Sequence, residues 1–303
     1  MMKRKIYLLI MLCMGIVVLP AMAQQDLLLS QEIFSRVNKN PAATGNTNDI
    51  DIFLHGRIQW AGVDNGPKTT LLNITDYEEK IKSGFGLSLS YDCIGIGHRT
   101  INAIFSYAYQ FDLSPRYVLS LGLGSGINMA GYDYTGNILE DESESKSDTY
   151  PMDKDMRLTP DFNFGFELSN PLWTLGASMN HLLNNESTTF KTGRHFYLYW
   201  TGTFPTGDKL SLAPTISYMN HNKTNVGELG LLVFYNCLIW GGVSYRPDLR
   251  NSFDPAMMAF ILGFEFKKFR FGYSFDMGLG SYNLLPSSTH EVILSYGIGK
   301  KAR

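Results

Sequence analysis

From Ser83 to Ile298 the chain runs as a succession of ~10-residue stretches in which every second residue is apolar, joined by connections that alternate short and long. Phe85, Leu87, Leu89 and Tyr91, for instance, interleave with Gly84, Gly86, Ser88 and Ser90. Successive side chains of a β-strand point to opposite faces, so this pattern specifies a sheet with one apolar face and one polar or small face. Strands are predicted at 49–60, 68–77, 83–92, 100–111, 117–129, 158–168, 172–180, 194–204, 209–218, 226–235, 237–246, 256–266, 268–276 and 289–298. The fourth sets Ile101, Ala103, Phe105, Tyr107, Tyr109 and Phe111 outward, against Asn102, Ser106 and Gln110. The sixth sets Phe162, Phe164, Phe166 and Leu168 against Asp161, Asn163, Gly165 and Glu167, and the thirteenth sets Phe269, Phe271, Tyr273 and Phe275 against Arg270, Gly272, Ser274 and Asp276.

A soluble β-sandwich alternates in the same way, and the loops separate the two. Connections after even strands are tight (78–82, 112–116, 169–171, 205–208, 236 and 267), whereas those after odd strands include 130–157, 181–193, 247–255 and 277–289. Outer-membrane barrels have an even strand count, short periplasmic turns and longer extracellular loops. The predicted fold class is therefore all-β, a transmembrane antiparallel β-barrel of about 14 strands. Tyr91, Phe111, Tyr117, Trp173, Tyr218, Tyr245 and Tyr296, near predicted strand ends, suit its interfacial girdles. Two features fit badly: Pro214 removes a ladder donor inside the ninth strand, and Leu229, Leu231, Leu232, Val233 and Phe234 make the tenth apolar on both faces.

The amino terminus supplies an export signal. Lys3, Arg4 and Lys5 precede an apolar run from Ile6 to Leu19, and Ala21-Met22-Ala23 places small residues where a signal peptidase reads them, so cleavage is predicted after Ala23. No later stretch reaches the ~18 unbroken apolar residues of a membrane helix. The domain plan is then a signal peptide at 1–23, an N-terminal periplasmic or plug segment at 24–48, and the barrel at 49–303. The whole chain carries 26 Lys+Arg against 28 Asp+Glu, so loss of three basic residues leaves an acidic mature protein, which argues against a nucleic-acid partner.

The sequence offers little chemistry. Cys93 and Cys237 fall at opposite ends of the predicted barrel, too far apart for a disulfide, and read as buried or lipid-facing small residues without zinc-ligand spacing. Gly122-Leu123-Gly124-Ser125-Gly126 has neither the following helix nor the Lys-Ser/Thr of a phosphate loop; the small lumenal residues Ser120, Gly122, Gly124 and Gly126 instead leave room for something inside the barrel. The acidic run from Glu140 to Asp148 reads as a solvated outer loop and lacks the spacing of a calcium loop. His181, His290-Glu291, and Arg99 and Arg194 beside His98 and His195, build no Gly-x-Ser-x-Gly or His-Glu-x-x-His motif. No catalytic residue, cofactor or metal is expected.

Several motifs occur in a recognisable order. Gln25-Asp26-Leu27-Leu28-Leu29-Ser30-Gln31 is followed by Asn40-Pro41-Ala42-Ala43-Thr44-Gly45, then by Gln59-Trp60-Ala61-Gly62-Val63-Asp64-Asn65-Gly66-Pro67-Lys68-Thr69. Gly84-Phe85-Gly86-Leu87-Ser88, Asp92-x-Ile94-Gly95, Phe271-Gly272-Tyr273-Ser274-Phe275-Asp276 and the run from Ser288 to Tyr296 complete the set. Together they resemble the PorP/SprF family of outer-membrane proteins of type IX secretion and gliding motility. Leu27 stands where that family usually has Pro, and Phe34-Ser35-Arg36 where an Asn-Pro pair is common.

The resemblance implies a non-catalytic outer-membrane barrel that assists type IX protein secretion and surface anchoring of secreted cargo or an adhesin. The implied partners are outer-membrane lipid, cargo with a sorting domain, and a periplasmic protein linking the machinery to peptidoglycan. Candidate partner-contact residues on its motifs are Gln31, Asn40, Pro41, Gly45, Trp60, Gly62, Pro67, His290 and Glu291. Residues 24–48 either fold into the barrel from the periplasmic side as a plug or docking surface, or form a loose periplasmic tail. The alternative function is a porin or small-molecule transporter, with 130–157 as an inward constriction loop whose acidity favours cations.

Overall fold

The computed structural model describes residues 29–47, 50–133, 155–183, 185–186, 191–221, 224–249, 254–279 and 288–299; the predicted signal peptide, the run from Glu140 to Asp148 and most of loop 130–157 lie outside these. Strands follow one another along the chain: β1 (Ile50–Ile58), β2 (Lys68–Glu78), β3 (Ser83–Ile94), β4 (His98–Ser114), β5 (Tyr117–Tyr132), β6 (Asp155–Ser169) and β7 (Trp173–Asn180). A small hairpin, β8 (Asn185–Glu186) with β9 (Lys191–Thr192), lies in the loop that follows. The series resumes with β10 (His195–Gly202), its short continuation β11 (Phe204–Thr206), β12 (Leu210–His221), β13 (Thr224–Tyr235), β14 (Ile239–Asp248), β15 (Asp254–Phe266), β16 (Phe269–Gly278) and β17 (Ser288–Ile298).

Each strand pairs antiparallel with its neighbours, and β1 pairs with β17 from Ile50↔Ile298 to Ile58↔His290, which closes the sheet. With β8 and β9 apart and β11 counted with β10, the barrel has fourteen staves, as the alternation predicts. Among the described residues no helix is long and apolar enough to cross a membrane. The chain crosses with strands instead.

The two faces of the wall follow the period-2 pattern. Phe105, Tyr107, Tyr109 and Phe111 on β4, Phe162, Phe164 and Phe166 on β6, and Phe269 and Phe271 on β16 are exposed on the outside. Their alternates Ser106, Asp161, Asn163, Glu167, Ser274 and Asp276 are buried inside. An apolar outside around a polar, packed inside inverts a soluble protein and fits a lipid-facing wall. Phe164, central in β6 and 44% exposed, provides a test. Phe164→Arg is expected to destabilise the barrel refolded in lipid by about 2–4 kcal/mol, measured by denaturant titration. A change within about 0.5 kcal/mol, as for an ordinary water-facing position, would refute the lipid orientation.

Both misfits have local explanations. Pro214 lies between the pairs Thr201↔Thr215 and Phe204↔Leu212, opposite the interruption separating β10 from β11, so its missing N–H falls where that ladder is already broken. On β13, Leu229, Leu231 and Val233 face lipid, while Leu232 is 4% exposed in an interior cluster with Ala213, Trp240 and Ile261. The lumen is apolar at that point because something apolar docks there.

Turn chemistry moves one predicted end, the start of the strand expected at 237, to Ile239, whereas β3 to β6 run past their predicted ends. Asn236 (φ 51°) and Cys237 (φ 55°) are both left-handed, and Leu238 N–H donates to Tyr235 O at 3.0 Å, the two-residue hairpin whose twist suits adjoining strands. Cys237 is thereby exposed at a turn tip and is neither buried nor lipid-facing as expected, whereas Cys93 sits half-buried at the opposite end of the barrel.

Candidate functional site

Inside the wall lies the chain's own N-terminal segment. Residues 29–47 make two 3-10 turns, Glu32–Phe34 and Pro41–Ala43. The Asn40 side chain caps the second, its Oδ1 accepting from Ala42 N–H at 2.9 Å, and Pro41 at the first turn position forfeits no needed donor. Asn40 Nδ2 also donates to Phe166 O at 3.0 Å and to the Tyr199 hydroxyl at 2.9 Å, so this fully buried amide ties the segment to β6 and β10.

Wall side chains satisfy the segment's backbone. Ser120 Oγ donates to Ala42 O at 2.7 Å, Ser178 Oγ to Lys39 O at 2.6 Å, and Asn180 Nδ2 to Asn38 O at 3.1 Å. An irregular strand of backbone cannot lie inside a barrel unless its polar groups find such partners. Close approach is made possible by wall glycines: a Cβ on Gly122 would overlap Ala42, one on Gly165 would overlap Asn40, and one on Gly84 would overlap Thr44. Gly122→Val is therefore expected to push the segment off the wall while the barrel still closes. Limited proteolysis from the periplasmic side should then cut within 29–47 at a higher rate than in the parent chain; unchanged protection would show that the contact is dispensable.

Two apolar anchors hold the segment. Leu29 packs with Phe53, Leu71 and Ile293. Phe34 lies 4.8 Å from the Trp240 ring and 6.2 Å from Phe234, with the Arg270 guanidinium 5.0 Å from its centroid.

Three polar clusters stand out among the described residues of the lumen. In the first, Ser30 N–H donates to Glu291 Oε2 at 3.0 Å, Ser30 Oγ donates to Asp276 Oδ2 at 2.8 Å, and Arg246 Nη2 donates to Ser30 Oγ at 2.9 Å. Arg246 also pairs with Glu228 at 2.7 Å, and Arg57 pairs with Glu291 and, at 3.2 Å, with Asp276. In the second, Arg36 Nε meets Glu167 Oε1 at 2.9 Å, with the Tyr199 hydroxyl donating to the same oxygen and Asn46 Nδ2 to the other at 3.2 Å. Burial opposes the charge on Arg36, but the Glu167 carboxylate outweighs it and raises the guanidinium pKa. In the third, His181 Nδ1 is 2.7 Å from Asp161 Oδ2, and the His195 ring stacks on His221 at 3.9 Å. Among the described residues no group of three or more His, Cys, Asp or Glu is arranged to hold a metal ion.

The candidate contact residues divide between the lumen and the outer rim. Gln31, Asn40, Pro41, Gly45 and Glu291 are buried within the barrel, Gly45 at φ +76° against Gly84. Trp60 (φ +55°) and Gly62 (φ +96°) are exposed in the first outer loop, and Pro67 is buried at its base. Backbone bonds hold that loop, from Ala61 N–H to Ser288 O at 2.8 Å and from Gly95 N–H to Asn65 O at 3.1 Å. His290 Nδ1 hydrogen-bonds the Tyr273 hydroxyl at 2.7 Å, away from Glu291 on the other face of β17. Sequence reasoning missed Ser30, Phe34, Arg57, Glu228, Trp240, Arg246 and Asp276. A usable signal was present: Arg57, Glu228, Arg246, Asp276 and Glu291 all occupy lumen-facing positions of their strands, where isolated charges are costly.

No curated protein sequence matches the chain. Among solved structures, it is similar to the CymD monoaromatic hydrocarbon channel, with a TM-score of 0.56 at 12% identity over 92% of this chain and 95% of that one. A Pseudomonas aeruginosa FadL homologue gives 0.53 at 12% over 87% and 94%. The Acinetobacter baumannii outer membrane protein Omp33 gives 0.51 at 8% over 83% and 98%. At such identities the likeness is one of fold, that of an outer-membrane barrel. The model of the type IX secretion system membrane protein PorP/SprF matches residues 21–296, nearly the whole chain, and this barrel is thus a member of the PorP/SprF family.

Proposed function

We propose that the barrel assists type IX secretion and anchors secreted cargo or an adhesin at the cell surface, without catalysis, and that residues 24–48 serve as its plug. The match across residues 21–296 carries this reading. The geometry supports it, because the described part of the segment spans the lumen between β1, β6, β10, β16 and β17. The implied partners are a sorting-domain protein outside and a peptidoglycan-linking protein in the periplasm. Trp60 and Gly62 are the candidate contacts that already face outward.

The test is to delete the chain and measure surface-exposed sorting-domain protein by protease shaving of intact cells. Loss of surface cargo, with retention in the periplasm and rescue by the wild-type chain, is the expected result. Normal display in the deletion strain would sink the proposal. A second reading, passage of a small molecule, is favoured by the fold likeness to a hydrocarbon channel. Liposome uptake of a monoaromatic hydrocarbon by the intact barrel would favour that reading.

A further inference from the structure

At the short-turn end of the barrel, below the N-terminal segment, lies a cavity of about 410 Å³. This falls within the ~300–1,000 Å³ of sites that hold small ligands. Its roof is Phe34 and its neighbours in the segment, with Phe234 beside them; Thr203 and Ser211 supply hydroxyl groups from the wall, where the Asn73 amide is already engaged with Ser35 at 2.7 Å. Glu265 and Arg270, paired at 3.0 Å and each about a third exposed, line it as well, and the exposed thiol of Cys237 stands at its edge. Since Glu265 and Arg270 belong to strand ends beside the tight turns, the cavity opens toward the periplasm.

We propose that this cavity binds a short extended polypeptide segment presented from the periplasmic side. The same wall demonstrates the chemistry one layer above. Residues 29–47 are held there by serine and asparagine side chains donating to main-chain carbonyls, by a carboxylate accepting a main-chain N–H, and by aromatic side chains taking up an apolar residue. The cavity continues that composition, with the Thr203 and Ser211 hydroxyls on its wall, Phe34 and Phe234 as an apolar surface, and two carboxylates, Asp51 and Glu265, against two guanidinium groups, Arg36 and Arg270. An extended peptide offers matching alternate N–H and C=O groups, side chains of either polarity and little net charge. With Glu265 paired to Arg270, and Arg36 and Asp51 of opposite sign, the lining lacks the one-sided field that would select a phosphate or a metal ion.

The proposal rests on the secretion reading only for which periplasmic protein supplies the segment. Purified full-length barrel with Cys93→Ser, in detergent, is panned against a phage-displayed random peptide library, and the maleimide reaction rate of Cys237 is then measured with the selected peptides. The expected result is a saturable, several-fold slowing of Cys237 labelling, lost in Ser211→Trp and in Thr203→Trp. Thr203 is exposed, so its variant should fold even if the Ser211 variant does not. The proposal is overturned if no peptide is enriched, or if enriched peptides bind both variants as well as the parent. It is also overturned if triacetylchitotriose slows labelling and the peptides do not, which would assign the cavity to a saccharide. Surface display of cargo in the deletion strain is a separate measurement, so failure here and failure of the secretion role are distinguishable.

Discussion

Deleting residues 24–46 is expected to turn a closed barrel into a conducting one. In planar bilayers the truncated chain should show discrete steps, with mean conductance about tenfold or more above that of the intact protein, because barrels well above eight strands have interiors too wide for wall side chains to fill. The deletion removes the Leu29 and Phe34 anchors and leaves Phe53, Leu71, Trp240 and Ile293 facing water. The wall ladders do not depend on the segment, so the strands should still pair; heat-modifiable gel migration reports that directly. A folded, truncated barrel that conducts no more than the parent would refute the plug. Gly122→Val should reproduce part of the effect in the full-length chain, since it displaces the same residues by overlap rather than removal.

The second large effect is expected from Arg57→Ala. Arg57 is 5% exposed and stands between Glu291 and Asp276, both fully buried. Without it, Asp276 and Glu228 share the guanidinium of Arg246, and Glu291 is left with the Ser30 N–H and the His55 ring, whose Nε2 is 3.4 Å from its Oε2. Breaking a buried ion pair by removing one partner costs about 3–5 kcal/mol, because the remaining charge stays desolvated and unpaired. Denaturant unfolding in lipid, followed by tryptophan fluorescence, should show a loss of that size. Arg57→Ala combined with Glu291→Gln should recover a substantial part, since the orphaned charge goes with its partner. Equal stability of the single and double variants would place the cost elsewhere, in lost packing of the arginine stem.

The wall was legible in the sequence for a plain reason. Each stave alternates on its own, so the outward Phe162, Phe164 and Phe166 and the inward Asp161, Asn163 and Glu167 could be separated within seven residues. Loop parity then supplied the direction of the barrel. What the lumen holds is a different kind of information. Ser30 finds Glu291 across 261 positions and Asp276 across 246, and nothing in the local pattern of either partner announces the pairing. The glycine and serine line on β5 pointed to something inside the barrel but not to Ala42 as its occupant. Likewise Leu232 read as a misfit until Trp240, Ile33 and Phe34 surrounded it. The left-handed pair Asn236–Cys237 moved the start of a predicted strand from 237 to Ile239 because Cys is a residue type that sequence rules do not assign to such a turn.

The contact between Ser30 and Glu291 also imposes an order of events. Glu291 lies on β17, the last stave to be synthesised, and is brought to Arg57 on the first only when β17 zips against β1. The seat for the amino terminus is therefore completed by the carboxyl terminus. Whatever its length of stay in the periplasm, the beginning of this chain has no finished place to go until the end has arrived. Its settling into the lumen is then a molecular receipt for a barrel that has been sewn shut.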